Sequence, residues 1–476
     1  MSAAMPTIVA DLGGMHLYAW AYASYMLARA ISLPIFGKLA DRLSTKGLFL
    51  TAIGIFIAFS ALAASSQSMG FLIGARVFQG IGAGGNFALV YIVLSEIAPS
   101  GKRGLYLSWA SFVWGLASIL GPTLGGVIIS LLDWPWIFLI NIPLGLLAAL
   151  GIAIFYVESR RKNLPSRLDL AGALTLSVAV VSLLLFFMLL GRHHHWRSPA
   201  LILPAGGTLV FTALFIWLER RASDPMLPLP FFGRAGFRNG NIAVFFGAFA
   251  IFALFAYAPL YIQGALGQSP VQVGMAMLVL SAGWSLGAAL VGQLVHRIGR
   301  KRSALIGAVL LLSGCGGCLT LTAASHLATA WVWFLLSGMG MGFVGVATML
   351  KVQNAVSQAD LGVATSSNQF ARSLGGTIGV GICGGIVTAG LSTGVDRLVQ
   401  SGHLSSLTSE QAHRLTSNLE TLFDPHLIGR LPVEAQIVLH QTVSRGLTWS
   451  FAIITAVALL CLVVCIRLPA DRDNSS

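Results

Sequence analysis

Long apolar stretches alternate with short polar segments along almost the whole chain. Thirteen of them are long enough for a helix to cross the roughly 30 Å hydrocarbon core of a bilayer. They cover residues 18–37, 48–64, 71–95, 105–130, 136–157, 170–190, 200–218, 239–262, 273–295, 303–323, 328–350, 362–390 and 447–466. A shorter apolar piece, residues 2–12, precedes them and would cover only about 16 Å. We expect it to be the end of a first helix whose beginning lies upstream of Met1.

The composition agrees with this pattern. Hydrophobic residues make up 56% of the chain and charged residues 9%, and the mean hydropathy is +0.82. A soluble domain carries about 25% charged residues, and apolar runs of this length indicate helices rather than the strands of a barrel. We therefore predict an all-α integral membrane protein.

The basic residues are distributed unevenly between the two sides of the membrane. When alternate loops are assigned to one side, starting with residues 38–47, that side holds 20 of the 29 Lys and Arg residues, and the other side holds six. This positive-inside asymmetry explains the net charge of +13 better than nucleic-acid binding does. It predicts a multi-pass protein of the cell (inner) membrane with a cytoplasmic C-terminus.

The spans fall into groups of six, two and six, separated by basic linkers. We predict an N-terminal six-helix bundle over residues 1–157, with a partial first helix, and a C-terminal six-helix bundle over residues 239–476. Linkers and two extra helices occupy residues 158–238. A long external loop, residues 391–445, is either a periplasmic cap or a tolerated insertion, and we favour the insertion.

One charged hairpin occurs in each half. The segment Gly37-Lys-Leu-Ala-Asp41-Arg42-Leu-Ser-Thr-Lys46 recurs 255 residues later as Gly292-Gln-Leu-Val-His296-Arg297-Ile-Gly-Arg-Lys301. Both copies lie between two long apolar spans. The repeat predicts two parallel bundles built from one ancestral unit, an architecture with which transporters alternate a central site between two sides.

The first copy has the chemistry of a cytoplasmic gate. Asp41 can accept hydrogen bonds from a helix N-terminus and pair with nearby bases, and Arg42 and Lys46 hold the loop at the membrane face. Glu96 and Arg103 are further candidate partners. We interpret the cluster as a latch whose breakage favours opening of the cytoplasmic side. The alternative is that these basic residues only follow the positive-inside pattern of that side.

Four motifs resemble one family, and the resemblance covers essentially the whole chain. Residues 37–46 resemble motif A of the major facilitator superfamily, and Arg76-Val-Phe-Gln79-Gly80-Ile-Gly82-Ala83-Gly84 resembles its motif B. Gly121-Pro122-Thr-Leu-Gly125-Gly126 resembles motif C, the antiporter signature. Residues 133–145, beginning Asp133-Trp134-Pro-Trp136, are similar to the start of the sixth helix in the 14-helix drug:proton antiporters, the EmrB/QacA-like group.

The resemblance implies the major facilitator fold, with two six-helix bundles plus two inserted helices. It also implies proton-coupled export of amphipathic drugs or toxic metabolites by alternating access. The implied partners are a small-molecule substrate, protons and the lipid bilayer, and a periplasmic adaptor is a further candidate. No nucleophile–base pair or metal-ligand cluster indicates an enzyme, a metal or a cofactor.

The chain departs from the family pattern at several positions. Ser44 and Thr45 stand where the family has Gly and Arg, and Ala117 replaces a Gly. The family's first helix carries an Asp upstream of an A-L-P turn; the matching turn here is Ala4-Met5-Pro6, so that Asp would precede Met1. We expect either a start upstream of Met1 or a different mode of coupling, and favour the upstream start.

Three arginines lie within predicted spans, where charges are costly and usually face a cavity. Arg76 shares a helix face with Gln79, and the resemblance links the motif B arginine to proton transfer. Arg29 is the second, and Arg372, which shares a face with Asn368, is the third. The alternative for each is a structural hydrogen bond to backbone carbonyls. Candidate aromatic residues of a substrate cavity are Tyr22, Tyr25, Phe87, Tyr257 and Tyr261.

None of the 16 acidic residues lies in the middle of a predicted span. A central cavity with three arginines would attract anions, which raises a second hypothesis, a facilitator or uptake permease for an organic anion. A third is a membrane sensor or partner subunit that does not transport.

Overall fold

The computed structural model describes residues 4–40, 43–97, 124–158, 170–190, 198–222, 229–357, 361–400 and 433–470, with the isolated residues 113, 117 and 121. The helices in these ranges are α1 Met5–Leu12, α2 Tyr18–Ala40, α3 Thr45–Ala64, α4 Met69–Ile97, α5 Trp136–Leu139, α6 Asn141–Phe155, α7 Leu170–Leu190, α8 Pro199–Arg221, α9 Ala235–Leu260, α10 Pro270–Ile298, α11 Arg300–Cys318, α12 Leu327–Gln353, α13 Leu361–Gln400 and α14 Val433–Ile466. A π-helical turn, Tyr261–Ala265, extends α9.

The described residues contain helices and no strand, and the prediction of an all-α membrane protein is confirmed. Nine of the described helices are long and apolar enough to cross a membrane. The predicted span 170–190 coincides with α7 at both ends. Of the predicted span 105–130, the structure describes only isolated residues and the helical stretch 124–131.

Two described helices enter the long external loop predicted at 391–445, and the position of that loop outside the membrane stays a prediction. Helix α13 continues to Gln400, and α14 already begins at Val433. Residues 401–432 lie outside the described residues. The prediction ended each span where hydropathy fell, but a helix continues through polar residues until a proline or an unfavourable backbone stops it. No proline lies between residues 391 and 400.

The helices pack in two groups with a pair beside them. Helices α2, α3 and α4 pack together, and α6 lies against α3. Helices α9 to α14 form the second group, in which α12 lies between α10 and α11. Helices α7 and α8 pack on each other, α7 also packs against α13, and α13 contacts α2. The α2–α13 contact therefore joins the two groups.

The turn between α2 and α3 marks one end of the bundle, which we call the hairpin side, and the opposite end is the far side. On the far side the two groups meet closely. The Tyr18 hydroxyl donates to the Ala256 carbonyl at 2.5 Å, and the Tyr18 and Tyr257 ring centroids are 5.5 Å apart. The Trp134 indole donates to Asp11 at 2.7 Å, which ties α1 to the segment before α5.

Candidate functional site

The first hairpin is held by an acidic residue that the sequence analysis missed. The Glu158 carboxylate, just after α6, accepts from the Thr45 backbone N–H at 2.8 Å and from the Ser44 hydroxyl at 2.6 Å. It therefore lies at the N-terminus of α3, where the helix dipole favours a negative charge. Its position at the end of the sixth apolar span, on the basic side of the chain, was the signal that could have identified it.

Other hairpin residues extend this contact with α6. The Lys46 ammonium donates to the Ala153 carbonyl at 2.7 Å, and Gly37 is half-buried near the end of α2. Asp41, Arg42 and Arg103 lie outside the described residues, so the latch that they were predicted to form stays a prediction.

Glu96, at the end of α4, meets the end of α6. The Tyr156 hydroxyl donates to the Glu96 carboxylate. Burial raises the pKa of the Tyr156 phenol above its usual range, and the nearby Glu96 and Glu158 carboxylates add to the effect. Tyr156 therefore stays protonated and remains a donor. Glu96 and Glu158 together attach the start of α3 and the end of α4 to one short segment, residues 156–158.

Arg76 lies in the far-side half of α4, inside a network of neutral groups. Its Nη1 donates to the Gln79 side-chain oxygen at 2.5 Å, and the Gln79 amide donates to the Ser60 hydroxyl of α3 at 2.7 Å. Its Nε donates to the Ala21 carbonyl of α2 at 3.3 Å, and its guanidinium carbon lies 3.8 Å from the Tyr25 ring centroid. Only 7% of Arg76 is exposed. The structure thus brings Arg76, Gln79 and Tyr25 together.

Arg29 and Arg372 occupy a different place, nearer the hairpin side. The Arg29 guanidinium lies 4.8 Å from the centroid of Phe87, whose ring is 5.3 Å from that of Tyr91. Arg372, on α13, lies within electrostatic range of both Arg29 and Tyr91. Arg29 and Arg372 are each half-buried. These two basic side chains therefore lie on α2 and α13, the helices through which the two groups are in contact.

The remaining predicted cavity residues are engaged in helix packing. The Asn368 amide lies 3.4 Å from the Asn241 side-chain oxygen of α9. Tyr257 donates to the Val380 carbonyl at 2.6 Å, and Tyr261 donates to the Thr322 carbonyl at 2.8 Å. Tyr22 is buried, and its ring centroid is 5.9 Å from that of Tyr18. The structure therefore places Tyr22 and Tyr257 on the far side and does not gather the five aromatic candidates around one point.

Gly126, in the segment that resembles motif C, lies where the two groups meet. Gly125 and Gly126 are buried, and a Cβ at Gly126 would lie 2.7 Å from the Pro270 carbonyl oxygen and 3.2 Å from the Gly274 Cα. Glycine at 126 is what lets this segment approach α10 so closely. Gly121 faces open space, and Pro122 lies outside the described residues. In the described ranges no group of three or more His, Cys, Asp or Glu side chains could hold a metal ion.

The described residues form helices that pack in two groups, and nine of these helices are long and apolar enough to cross a membrane, an architecture typical of membrane transport proteins. The profile of the Major Facilitator Superfamily matches residues 1–191 and 170–380. The chain therefore belongs to the major facilitator superfamily and is a multi-pass membrane transporter with a small-molecule substrate.

Two relatives carry names that refer to multidrug transport or multidrug resistance. The chain is 33% identical to the multidrug transporter protein MdtP of Bacillus subtilis over 441 residues, which cover 90% of this chain and 81% of that protein. It is also 33% identical to multidrug resistance protein 3 of the same organism, over 82% of this chain and 76% of that one. These similarities place it among the drug-efflux members of the superfamily.

Solved structures show the same fold. The crystal structure of a bacterial homologue of the human lysosomal transporter Spinster, inward-facing and unoccupied, aligns with a TM-score of 0.68 at 14% identity and covers 98% of this chain and 93% of that one. An auto-inhibited peptide transporter of the POT family aligns with a TM-score of 0.63 at 16% identity, over 100% and 95% of the two chains.

Proposed function

We propose that the chain is a proton-coupled antiporter that exports amphipathic drugs or toxic metabolites by alternating access. The single observation that carries the coupling is the Arg76 network, in which a buried guanidinium is held by Gln79, Ser60, the Ala21 carbonyl and the Tyr25 ring. These groups are neutral, so the charge of Arg76 is left to act on any carboxyl group that approaches, whether from the protein or from a substrate. It favours the deprotonated form of that group and so promotes proton release.

We also propose the arrangement in the membrane. The protein lies in the inner membrane of the cell. Its hairpin side faces the cytoplasm, because 20 of the 29 basic residues are assigned to that side. Residues 1–157 and 239–476 form the two bundles, and residues 158–238 add the pair α7 and α8, as in the 14-helix group. The packing of α7 on α8, beside α13, supports this division. A periplasmic adaptor remains a candidate partner.

The gate on the cytoplasmic side is, in this proposal, the first hairpin. Glu158 and Glu96 hold α3 and α4 to the end of α6, and Gly37, Asp41, Arg42, Lys46 and Arg103 complete the cluster. On the far side, the Tyr18–Ala256 hydrogen bond and the Gly126–Pro270 approach join the groups. Rocking of the groups would exchange one set of contacts for the other.

The test is transport by the purified protein in proteoliposomes. A proton gradient is imposed across the vesicle membrane, and a panel of fluorescent amphipathic compounds is followed with and without a protonophore. We expect the protonophore to abolish concentrative transport. We expect Arg76→Gln to lower the rate of concentrative transport at least about tenfold, because the variant loses one or more charged hydrogen bonds. Arg76→Lys, which keeps the charge, should retain part of the activity.

The coupling proposal is overturned if concentrative transport persists when the proton gradient is collapsed. The second candidate function, a facilitator or uptake permease for an organic anion, is favoured by the three arginines within the predicted spans. A facilitator moves its substrate only down the substrate's own gradient, with or without the protonophore. A proton-driven uptake permease moves its substrate in the direction of the proton flow, whereas an antiporter moves it against that flow.

A further inference from the structure

Three aromatic rings on α9 and α10 form a cluster that takes no part in the Arg76 network. The Phe252 and Trp284 ring centroids are 5.8 Å apart, with the rings edge to face. The Phe255 ring centroid lies 6.3 Å from that of Trp284 and 6.5 Å from that of Phe252. We call these three residues the aromatic cluster. Trp284 is at the midpoint of α10, so the cluster lies deep within the bundle rather than at either end.

Helix α9 carries its phenylalanines on the inside of the second group. Every residue from 241 to 260 is described, and each is buried or half-buried. A helix that faced lipid would present exposed apolar side chains, as α10 does with Met275 and Leu286, which are 37% and 48% exposed. The half-buried positions of α9 therefore border a space inside the protein. They are Ile242, Phe245, Phe246, Phe252 and Phe255.

Trp284 faces the same space from α10. At 3.6 residues per turn, it lies about 180° around the helix from Met275 and about 160° from Leu286, so it points away from lipid and is still only half-buried. Helices α9 and α10 approach each other at few points, and the rings bridge the gap between them. The Phe252 ring also lies against Gly376 of α13, where a Cβ would be 2.6 Å from its Cδ2. The aromatic cluster therefore lines a space bounded by α9, α10 and α13.

The two groups of helices repeat the same packing, and this identifies their equivalent positions. In the first group, a Cβ on Gly80 of α4 would lie 2.6 Å from the Tyr25 carbonyl oxygen of α2. In the second group, a Cβ on Gly338 of α12 would meet the Leu280 carbonyl oxygen of α10. Helices α2 and α4 of the first group therefore correspond to α10 and α12 of the second.

This correspondence pairs two arginines of the first group with aromatic residues of the second. Counting four residues along the chain from each contacting residue pairs Arg29 with Trp284 and Arg76 with Phe334. Phe334 is fully buried. The first group is therefore basic at two positions where the second group is aromatic, and a ligand between the groups would meet charge on one side and rings on the other.

We propose that the aromatic cluster binds a planar aromatic ring system of the exported substrate, with the polar part of the substrate directed toward the first group. Aromatic rings attract one another in offset or edge-to-face arrangements with centroids about 4.5 to 7 Å apart, the spacing that the cluster already has. A flat aromatic ring can join such an array, whereas a saturated ring gains only the burial of apolar area. The inference rests on the proposed function, because it names the substrate class of the proposed exporter.

The experiment compares two neutral probes with the same carbon skeleton, 9-anthracenemethanol and its fully hydrogenated counterpart. Binding to the purified protein in lipid nanodiscs is measured by equilibrium dialysis, and binding to empty nanodiscs is subtracted. Both probes bury apolar area, but only the anthracene rings can stack on the aromatic cluster. We expect the aromatic probe to bind at least about fivefold more tightly than the saturated probe.

The variants Trp284→Leu and Phe252→Leu each remove a ring and keep an apolar side chain. Each should reduce the preference for the aromatic probe to less than about twofold, whereas Trp284→Phe keeps a ring and should retain part of the preference. The matched control is Trp449→Leu, the same change on α14 at a position that is 70% exposed. It should leave the preference at its wild-type value, because this ring faces outward.

Equal affinities of the two probes for the wild-type protein would overturn the proposal, and this result does not depend on how any variant folds. A preference that survives both Trp284→Leu and Phe252→Leu would also overturn it, as would a preference that Trp449→Leu removes equally. None of these results affects the antiporter proposal, which is tested by the protonophore. Conversely, a ring-dependent preference without proton-coupled transport would uphold the site and overturn the antiporter.

Discussion

The two copies of the hairpin share a sequence pattern and differ in how the following helix begins. Ser44 in the first copy and Gly299 in the second occupy equivalent positions, 255 residues apart. Ser44 has a φ of −56° and caps α3: its hydroxyl accepts from the Gly47 N–H at 3.1 Å and donates to Glu158. Gly299 has a φ of +82° and a ψ of 158°, and α11 begins after it without a side-chain cap.

The partners of the two hairpins also differ. The first is held by a carboxylate from another helix, Glu158, whose bonds can break and re-form as that helix moves. In the second, the Arg300 guanidinium lies against the Asn354 amide at the end of α12, and the Asn354 oxygen, when turned toward it, accepts at 2.7 to 3.0 Å. The Ser303 hydroxyl donates to the Gly299 carbonyl at 2.7 Å. The carboxylate that accepts from two residues of the first hairpin makes that hairpin the better candidate for a gate.

The largest difference between the copies is expected at the position of Asp41, which corresponds to His296. Asp41→Asn should lower the initial transport rate at least about tenfold, because it removes a charged acceptor, and His296→Asn should lower it less than about twofold. The measurement is substrate efflux from proteoliposomes at equal protein amounts. Equal losses of transport rate in the two variants would mean that both hairpins only fix the orientation of the protein in the membrane.

Glu158→Gln should have the next largest effect. The glutamine keeps an oxygen for the Thr45 N–H but loses the charge that the helix N-terminus favours, an effect of about 0.5 to 1 kcal/mol and so about twofold to fivefold in transport rate. The matched variant in the second copy is Arg300→Gln, which we expect to change the rate less than about twofold. If Arg300→Gln were the more damaging, the assignment of the gate to the first hairpin would be reversed.

Sequence patterns were sufficient for the helices and for their membrane character, because a span is a local property of about 20 apolar residues. They also marked Arg76 and Gln79, which lie three positions apart on one helix and do form a hydrogen bond. They missed Glu158, because its contact joins residues 113 and 114 positions apart in the chain. The contact of α2 with α13 was hidden for the same reason, since it joins segments that are far apart in the chain.

The helix ends were harder to predict than the helix centres. Hydropathy placed the last span at 447–466, whereas α14 begins at Val433. The residues of its first turns are polar enough to leave the membrane, yet they still form helical hydrogen bonds. Side-chain caps and glycine conformations decide where such helices begin and end. The different helix starts at Ser44 and Gly299 are an example, because the pattern of apolar positions does not predict them.

The smallest effects on transport are expected from exchanging these two residues, which should instead change the stability of the protein. Gly299→Ser forces a side chain into a backbone region that is almost restricted to glycine, and it should lower the free energy of unfolding by about 1 to 3 kcal/mol. Ser44→Gly loses a cap and an exposed hydrogen bond, which together should cost less than about 1 kcal/mol. Denaturation of the detergent-solubilised protein gives both values.

Gly292→Ser is the matched control for this exchange, because it lies in the second hairpin, where an added Cβ would meet no atom within 4 Å. We expect Gly292→Ser to change stability by less than about 0.5 kcal/mol, as most exposed substitutions do. If Gly299→Ser were equally mild, the second hairpin could adopt the backbone of the first. The difference between the copies would then rest on Glu158 and Asp41 alone, because the turn itself would no longer distinguish them.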